Sequence, residues 1–268
     1  MHTGNEAQAD ASGSCLLWQE LRAPQLRALA GGATVILPIA ATEQHGPHLA
    51  TGTDTIIADA ILGRIRATPP ARGVFVQLPT QPVGVSDHHL DFGGTLSVPA
   101  SVFVLSLQAQ VRCLVRQGFK RVLVFNAHGG NIAPAKTALA DLAAEMHAAG
   151  AVIALVSYWE LARSGWDAIE GLRGRSLAHA CEFETSIVYS ARPDLEVVTP
   201  PPRHDYDDPV GNHCELALPF AASTPHGAFG DPAAASRELG DQLVDVAAAA
   251  LRSFLERFAG HDPRLGGA

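Results

Sequence analysis

The chain has 268 residues, of which 47% are hydrophobic and 17% charged. That is enough apolar material for one sizeable α/β core, and it excludes a disordered chain. The 19 basic and 27 acidic residues give a net charge of −8, with the acids scattered along the chain. That excludes a nucleic-acid footprint and any attraction to an anionic membrane.

In chain order, residues 1–15 are polar and lack both a basic n-region and an apolar h-region. They read as a disordered tail rather than a signal peptide. Residues 16–260 read as a single domain and 261–268 as a C-terminal tail. Residues 16–30 have helical spacing broken by Pro24, and 34–41 read as a buried strand. Residues 54–66 read as a helix with Asp54 as N-cap. A second strand is expected over 74–79, followed by an aperiodic loop over 81–97. An amphipathic helix is expected over 100–117, closed by Gly118. A third strand over 121–126, an alanine-rich helix over 133–148 and a fourth strand over 151–156 follow. A helix is expected from near His179 to about Ser190, then an irregular proline-rich stretch over 191–231 and a closing helix over 232–258. Strands alternating with helices predict a mainly parallel sheet with helices on both faces. Cys15, Cys113, Cys181 and Cys214 form no CxxC pair. They read as reduced, buried thiols of a cytoplasmic protein. No apolar run approaches the roughly 20 residues of a membrane span.

Sites of open α/β sheets lie beyond the carboxyl ends of the strands. Glu43 and His45 follow the first predicted strand, the 84–95 loop follows the second, and His128 follows the third. These fragments should therefore meet on one rim. Glu43 and His45 are two residues apart, so an extended backbone points both to one side. Asp54 can fold back toward them from its helix start, and its two carboxylate oxygens can bridge two cations. Glu182 would supply another carboxylate. Imidazole with carboxylate suits Zn²⁺ or Mn²⁺, whereas Ca²⁺ would take oxygen alone. His48 reads either as a partner behind the ligands or as a loop histidine. Ser86 and His89, in the 84–95 loop, are placed to line a substrate pocket. Trp159 and Trp166 either stack on a substrate ring or pack at a helix start. His204, Asp205, Asp207, Asp208 and His213 read as polar loop residues.

Four motifs in order carry a family resemblance: E-Q-H-G-P-H at 43–48 with Asp54, G-V-S-D-H-H-L-D-F-G-G-T-L-S at 84–97, N-A-H-G-G-N at 126–131 and H-A-C-E-F-E-T-S at 179–186. A weaker match is T-P-H-G-A-F-G-D-P at 224–232. Together the chain resembles the creatininase (creatinine amidohydrolase) family. The resemblance implies a three-layer α/β/α sandwich and a hydrolytic site for two divalent ions, Zn²⁺ and/or Mn²⁺, with Fe²⁺ also admitted. By position, Glu43, Asp54 and His128 would hold one ion, and His45, Asp54 and a glutamate the other. In creatininase proper that glutamate lies two residues after the third-strand histidine, where this chain has Gly130; Glu182 is taken as its replacement. His179 and Glu184 match positions credited with proton transfer, although Glu184 also reads as an ordinary first-turn carboxylate. Gly129 stands where creatininase proper has an aromatic residue, which argues against creatinine as substrate. The expected activity is cleavage of a non-peptide C–N bond, a cyclic amide or a formamide, in a small molecule. A lactonase and a non-catalytic metal-binding subunit are the alternatives. The resemblance also implies a homo-oligomer, as large as a hexamer.

Overall fold

The computed structural model describes residues 13–195, 198–206 and 218–261. Five strands, β1 (Ser14–Leu17), β2 (Thr34–Ile39), β3 (Val74–Gln77), β4 (Arg121–Asn126) and β5 (Val152–Ser157), form one sheet in the order β1-β3-β2-β4-β5. Every pairing is parallel. A parallel sheet needs helices on both faces, and the side chains divide accordingly. Ile36, Phe75, Leu123 and Phe125 pack on one side, against α2 (Thr53–Ala67), α5 (Tyr158–Trp166), α6 (Glu182–Ala191) and α7 (Arg237–Ala259). Val35, Leu37, Ile39, Val122 and Val124 pack on the other, against α1 (Ala23–Leu29), α3 (Ala100–Arg116) and α4 (Ile132–Ala148). The fold is the expected α/β/α sandwich. All six residues of β2 are buried, and each large aliphatic side chain so enclosed contributes about 1.5–3 kcal/mol.

The strand pairing positions the site. β2 and β4 run level from Thr34↔Arg121 to Ile39↔Asn126. Both chains therefore leave the sheet at the same height, Glu43 following β2 and His128 following β4.

Several local expectations are corrected. The end of the presumed tail, Ser14 and Cys15, and the start of the expected helical stretch, Leu16 and Leu17, instead form an edge strand on β3. Pro24 does not break a helix: it sits in the first turn of α1, where its missing N–H costs nothing. Gly52, not Asp54, is the N-cap residue of α2, which leaves the Asp54 carboxylate free to face elsewhere. The last short helix begins at Glu182 rather than His179, after Ala180 takes a left-handed φ of 53°. Cys113 is exposed rather than buried, and Cys214 lies outside the described residues. Among the described residues no helix is long and apolar enough to cross a membrane.

Candidate metal centre

The backbone after β2 is held extended from both sides. Glu43 N donates to the Thr51 carbonyl at 3.0 Å, and Gln44 N donates to Thr95 Oγ1 at 3.0 Å. Alternation then sends Glu43 and His45 inward. Asp54 reaches the same point from the first turn of α2, where the helix dipole favours a carboxylate. His128 is held just beyond β4 by Asn126, whose Oδ1 accepts from His128 N at 3.1 Å and whose Nδ2 donates to the His128 carbonyl at 2.9 Å.

Two ligand sets share Asp54. Glu43, Asp54 and His128 form one; His45, Asp54 and Glu184 form the other. Within the first, His128 Nδ1 lies 3.2 Å from both Glu43 Oε1 and Asp54 Oδ2. Within the second, His45 Nε2 lies 3.1 Å from Asp54 Oδ1 and 3.8 Å from Glu184 Oε2. Each Asp54 oxygen thus faces a different histidine. The far nitrogens of both rings point at backbone carbonyls, His128 Nε2 to Val85 at 2.9 Å and His45 Nδ1 to Glu43 at 3.2 Å. A carbonyl only accepts, so each far nitrogen carries the ring hydrogen and the near nitrogen presents its lone pair.

A lone pair facing two carboxylates is repelled unless a proton or a cation stands between them. With protons there, burial pulls the His45 imidazole down, but Asp54, Glu184 and Glu43 together carry it up to about 9. His128 is likewise held well above its ordinary value against the effect of burial, chiefly by Asp54 and Glu43. Burial opposes ionisation of Asp54, yet His45 and His128 bring it down to about 2. Burial pushes Glu184 up to about 7 against the pull of His45. Glu43 Oε2, His45 Nε2 and Asp54 Oδ2 are buried without a hydrogen-bond partner. Leaving such groups unsatisfied is costly, and the donor set of imidazoles and carboxylates fits a borderline divalent cation.

The structure places the other predicted residues as follows. Glu182 is turned away from both sets: Arg175 Nη1 lies 3.1 Å from its Oε1, and Asp231 N donates to its Oε2 at 2.9 Å. The expectation that Glu182 completes the second set is therefore corrected to Glu184, two residues along α6. Glu184 was expected to share proton transfer; here its Oε2 accepts from Ala180 N at 2.6 Å and faces His45. Gly130 has no room for the glutamate of creatininase proper, since a Cβ there would lie 2.1 Å from the Val85 carbonyl and 2.5 Å from His128 Nε2. Ser86 is fully buried behind His128, 3.2 Å from its Nε2, and does not line the cavity. His48 stands behind the site, neutral because burial and His45 push it down to about 4, with Nε2 3.0 Å from Thr185 Oγ1. Trp166 is core, its indole donating to the Leu243 carbonyl. His204 and Asp205 are loop residues held by Ser223 and Arg203; Asp207, Asp208 and His213 lie outside the described residues.

A cavity of about 300 Å³ opens onto the two sets. His89, Gly129, Trp159 and His179 line it as expected, joined by His88 and Phe220. Phe220 was not foreseen; its ring centre lies 4.3 Å from that of His89 and 4.9 Å from that of His179. No spacing pattern could have identified it, because it lies within the irregular stretch and belongs to no motif. The 224–232 segment supports the site from behind. Phe229 N donates to the His179 carbonyl at 2.8 Å, and Gly227 packs against the Gln44 side chain.

The chain is similar to known proteins over most of its length. The chain is 33% identical over 235 residues to a mycofactocin precursor peptide peptidase of Mycolicibacterium smegmatis, covering 86% of this chain and 83% of that protein. It is 27% identical over 249 residues to a creatinine amidohydrolase of Pseudomonas putida, covering 86% and 90%. A crystal structure of creatinine amidohydrolase (creatininase) superposes with a TM-score of 0.74 at 23% identity, over 91% of this chain and 98% of that one. Other creatininase structures are described as a manganese form and a Zn–Zn form. Residues 19–255 match the creatininase family, described as creatinine amidohydrolase, and span both ligand sets; this chain belongs to the creatininase family of hydrolases.

Proposed function

We propose that the chain is a dinuclear metal-dependent amidohydrolase that cleaves a non-peptide C–N bond, in a cyclic amide or a formamide, of a small molecule. The observation that carries this reading is the paired geometry of His45 and His128, each with a bare nitrogen facing two carboxylate oxygens. Glu43, Asp54 and His128 would hold one divalent ion, Zn²⁺ or Mn²⁺, and His45, Asp54 and Glu184 the other. Such ions, when bound, polarise a carbonyl and lower the pKa of water from 15.7 toward about 7.

The protein's own part follows from His179. Its Nε2 lies 2.8 Å from the Gln44 carbonyl and carries the hydrogen, so Nδ1 is bare. Burial and the neighbouring His45 and His89 hold the ring well below its ordinary value, hence neutral. As water oxygen bonds to the carbonyl carbon, His179 Nδ1 takes a proton. As the C–N bond breaks, the same proton passes to the leaving nitrogen. Trp159 and Phe220 present flat apolar surface to the substrate.

A second reading, in which the amide belongs to a peptide, is favoured by the likeness to the peptide peptidase. The open space at Gly129, where an added Cβ would meet nothing within 4 Å, also favours it. Zn²⁺- or Mn²⁺-loaded protein should be screened against hydantoins, lactams, formamides, lactones and short peptides, before and after chelation. Turnover of a lactam or formamide that disappears with the metal is the expected result. Undiminished turnover after complete metal removal overturns the mechanism, and turnover of peptides or lactones alone overturns the substrate class.

The chain is further proposed to act in the cytoplasm as a homo-oligomer. The exposed apolar side chains of Leu90, Leu96, Val102 and Leu105 support assembly. Sedimentation showing only monomer at micromolar concentration would refute it.

A further inference from the structure

We propose that Gln44 orients the hydrogens of two cavity histidines so that His89 presents an N–H donor to the carbonyl oxygen of the bound amide while His179 presents a lone pair. The role toward the amide rests on the amidohydrolase reading; the placement of the hydrogens does not.

Gln44 is buried, and its amide has one orientation. Gly46 N donates to its Oε1 at 2.9 Å, which leaves Nε2 as donor. That nitrogen lies 2.7 Å from His89 Nδ1. An amide N–H only donates, so His89 Nδ1 accepts and the hydrogen of the neutral ring is on Nε2. A doubly protonated His89 would set two donors against each other at that distance. His89 Nε2 lies 3.4 Å from Glu43 Oε1, beyond good N–H···O range, and the ring borders the cavity. Ligation of a cation through this nitrogen would require the imidazolate, because Nδ1 is already accepting.

His179 is oriented by the same residue through its backbone. Gln44 Nε2 also lies 3.2 Å from His179 Nε2, but the His179 hydrogen goes to the Gln44 carbonyl, so this contact joins two donors and is no hydrogen bond. The two rings stack with centres 4.4 Å apart and planes at 26°. Both carry hydrogen on Nε2, yet they turn opposite nitrogens toward Glu43 Oε1 on the cavity wall, His89 its Nε2 at 3.4 Å and His179 its Nδ1 at 3.8 Å. His89 thereby becomes a catalytic residue of the electrophilic kind, a neutral imidazole aimed at developing negative charge. Gln44 is a positioning residue.

The test is nitrogen-15 histidine NMR on the full-length zinc-loaded protein, with metal analysis of each variant. The parent should show Nε2–H on both rings. Gln44→Glu replaces the donor by an acceptor and should move the His89 hydrogen to Nδ1, while His179, held by the backbone carbonyl, stays Nε2–H. Gln44→Met, which adds no buried charge, should give mixed His89 tautomers. Against a substrate found by the screen, His89→Ala should lower kcat about 10²- to 10³-fold with KM within about threefold. His89→Gln, which keeps an N–H, should recover part of that loss, and both should retain the parent's metal content. A parent His89 with its hydrogen on Nδ1, or a His89 tautomer that both Gln44 variants leave unchanged, overturns the proposal. So does a His89→Ala protein that loses metal, since the ring would then serve Glu43. The NMR arm is decided without a substrate, so this proposal and the amidohydrolase reading fail separately.

Discussion

The two halves of the candidate metal centre are built by different means. Glu43 and His128 stand just past two strands that pair in register over six residues, and Asp54 sits in the first turn of a helix with a buried inner face. The His45 half depends on Glu184, which is brought in by α6 after the left-handed turn at Ala180. One half rests on the sheet; the other rests on a loop braced by Arg175, Asp231 and Phe229. The difference teaches that ligands at strand ends are fixed by sheet register, whereas the last ligand of a shared site is chosen by whichever nearby backbone can deliver a carboxylate.

The largest expected effect is from the residue common to both halves. Asp54→Asn should remove metal from both sets, leaving well under half the parent's content by metal analysis and lowering hydrolysis about 10²-fold or more. Next, Glu184→Gln and Glu182→Gln separate the loop-built half from its neighbours. Glu184→Gln should lose about half of the bound metal. Glu182→Gln should keep the metal but lower unfolding stability by about 1–3 kcal/mol in a denaturant titration, because Arg175 and Asp231 N lose a charged acceptor. The reverse pattern would return the second set to Glu182. A smaller contrast lies between two adjacent glycines. Gly130→Ala must displace the Val85 carbonyl or His128, and should cost about 1–3 kcal/mol together with metal from the first set. Gly129→Ala enters open space and should stay within about 0.5 kcal/mol.

The smallest effect is on pH dependence. In the metal-free protein His45 is raised to about 9, so its contribution to stability is fully present below about pH 6.5 and lost as pH rises through about 9. A bound cation must displace that proton, so metal affinity should rise over the same interval. Calorimetric titration with Zn²⁺ in buffers of different ionisation enthalpy should register proton release at pH 7; none released would mean the imidazoles are already neutral.

Much of this was legible in the sequence. Short β-branched runs such as Thr34–Ile39, alternating with helical stretches, suit doubly covered parallel strands, and the candidate ligands just beyond them follow from where parallel sheets put their sites. The period-two spacing of Glu43 and His45 sufficed to point both inward. Ser14–Leu17 was not legible, because an edge strand four residues long carries too little pattern to distinguish from a tail. Pro24 misled because proline ends a helix in its interior but starts one in its first turn.

The sequence by itself determined the fold class, the rim on which the site lies, and the ligands Glu43, His45, Asp54 and His128 as candidates. Only the tertiary structure set Glu184 rather than Glu182 beside His45 and Asp54, moved Ser86 from the cavity wall to the support of His128, and brought Phe220 to the opening. The physical reason is that local spacing fixes the direction of a side chain only while the backbone is regular. At 179–182 a left-handed residue interrupts the helix start; Ala180 N then holds Glu184, and Asp231 N, some fifty residues later, holds Glu182.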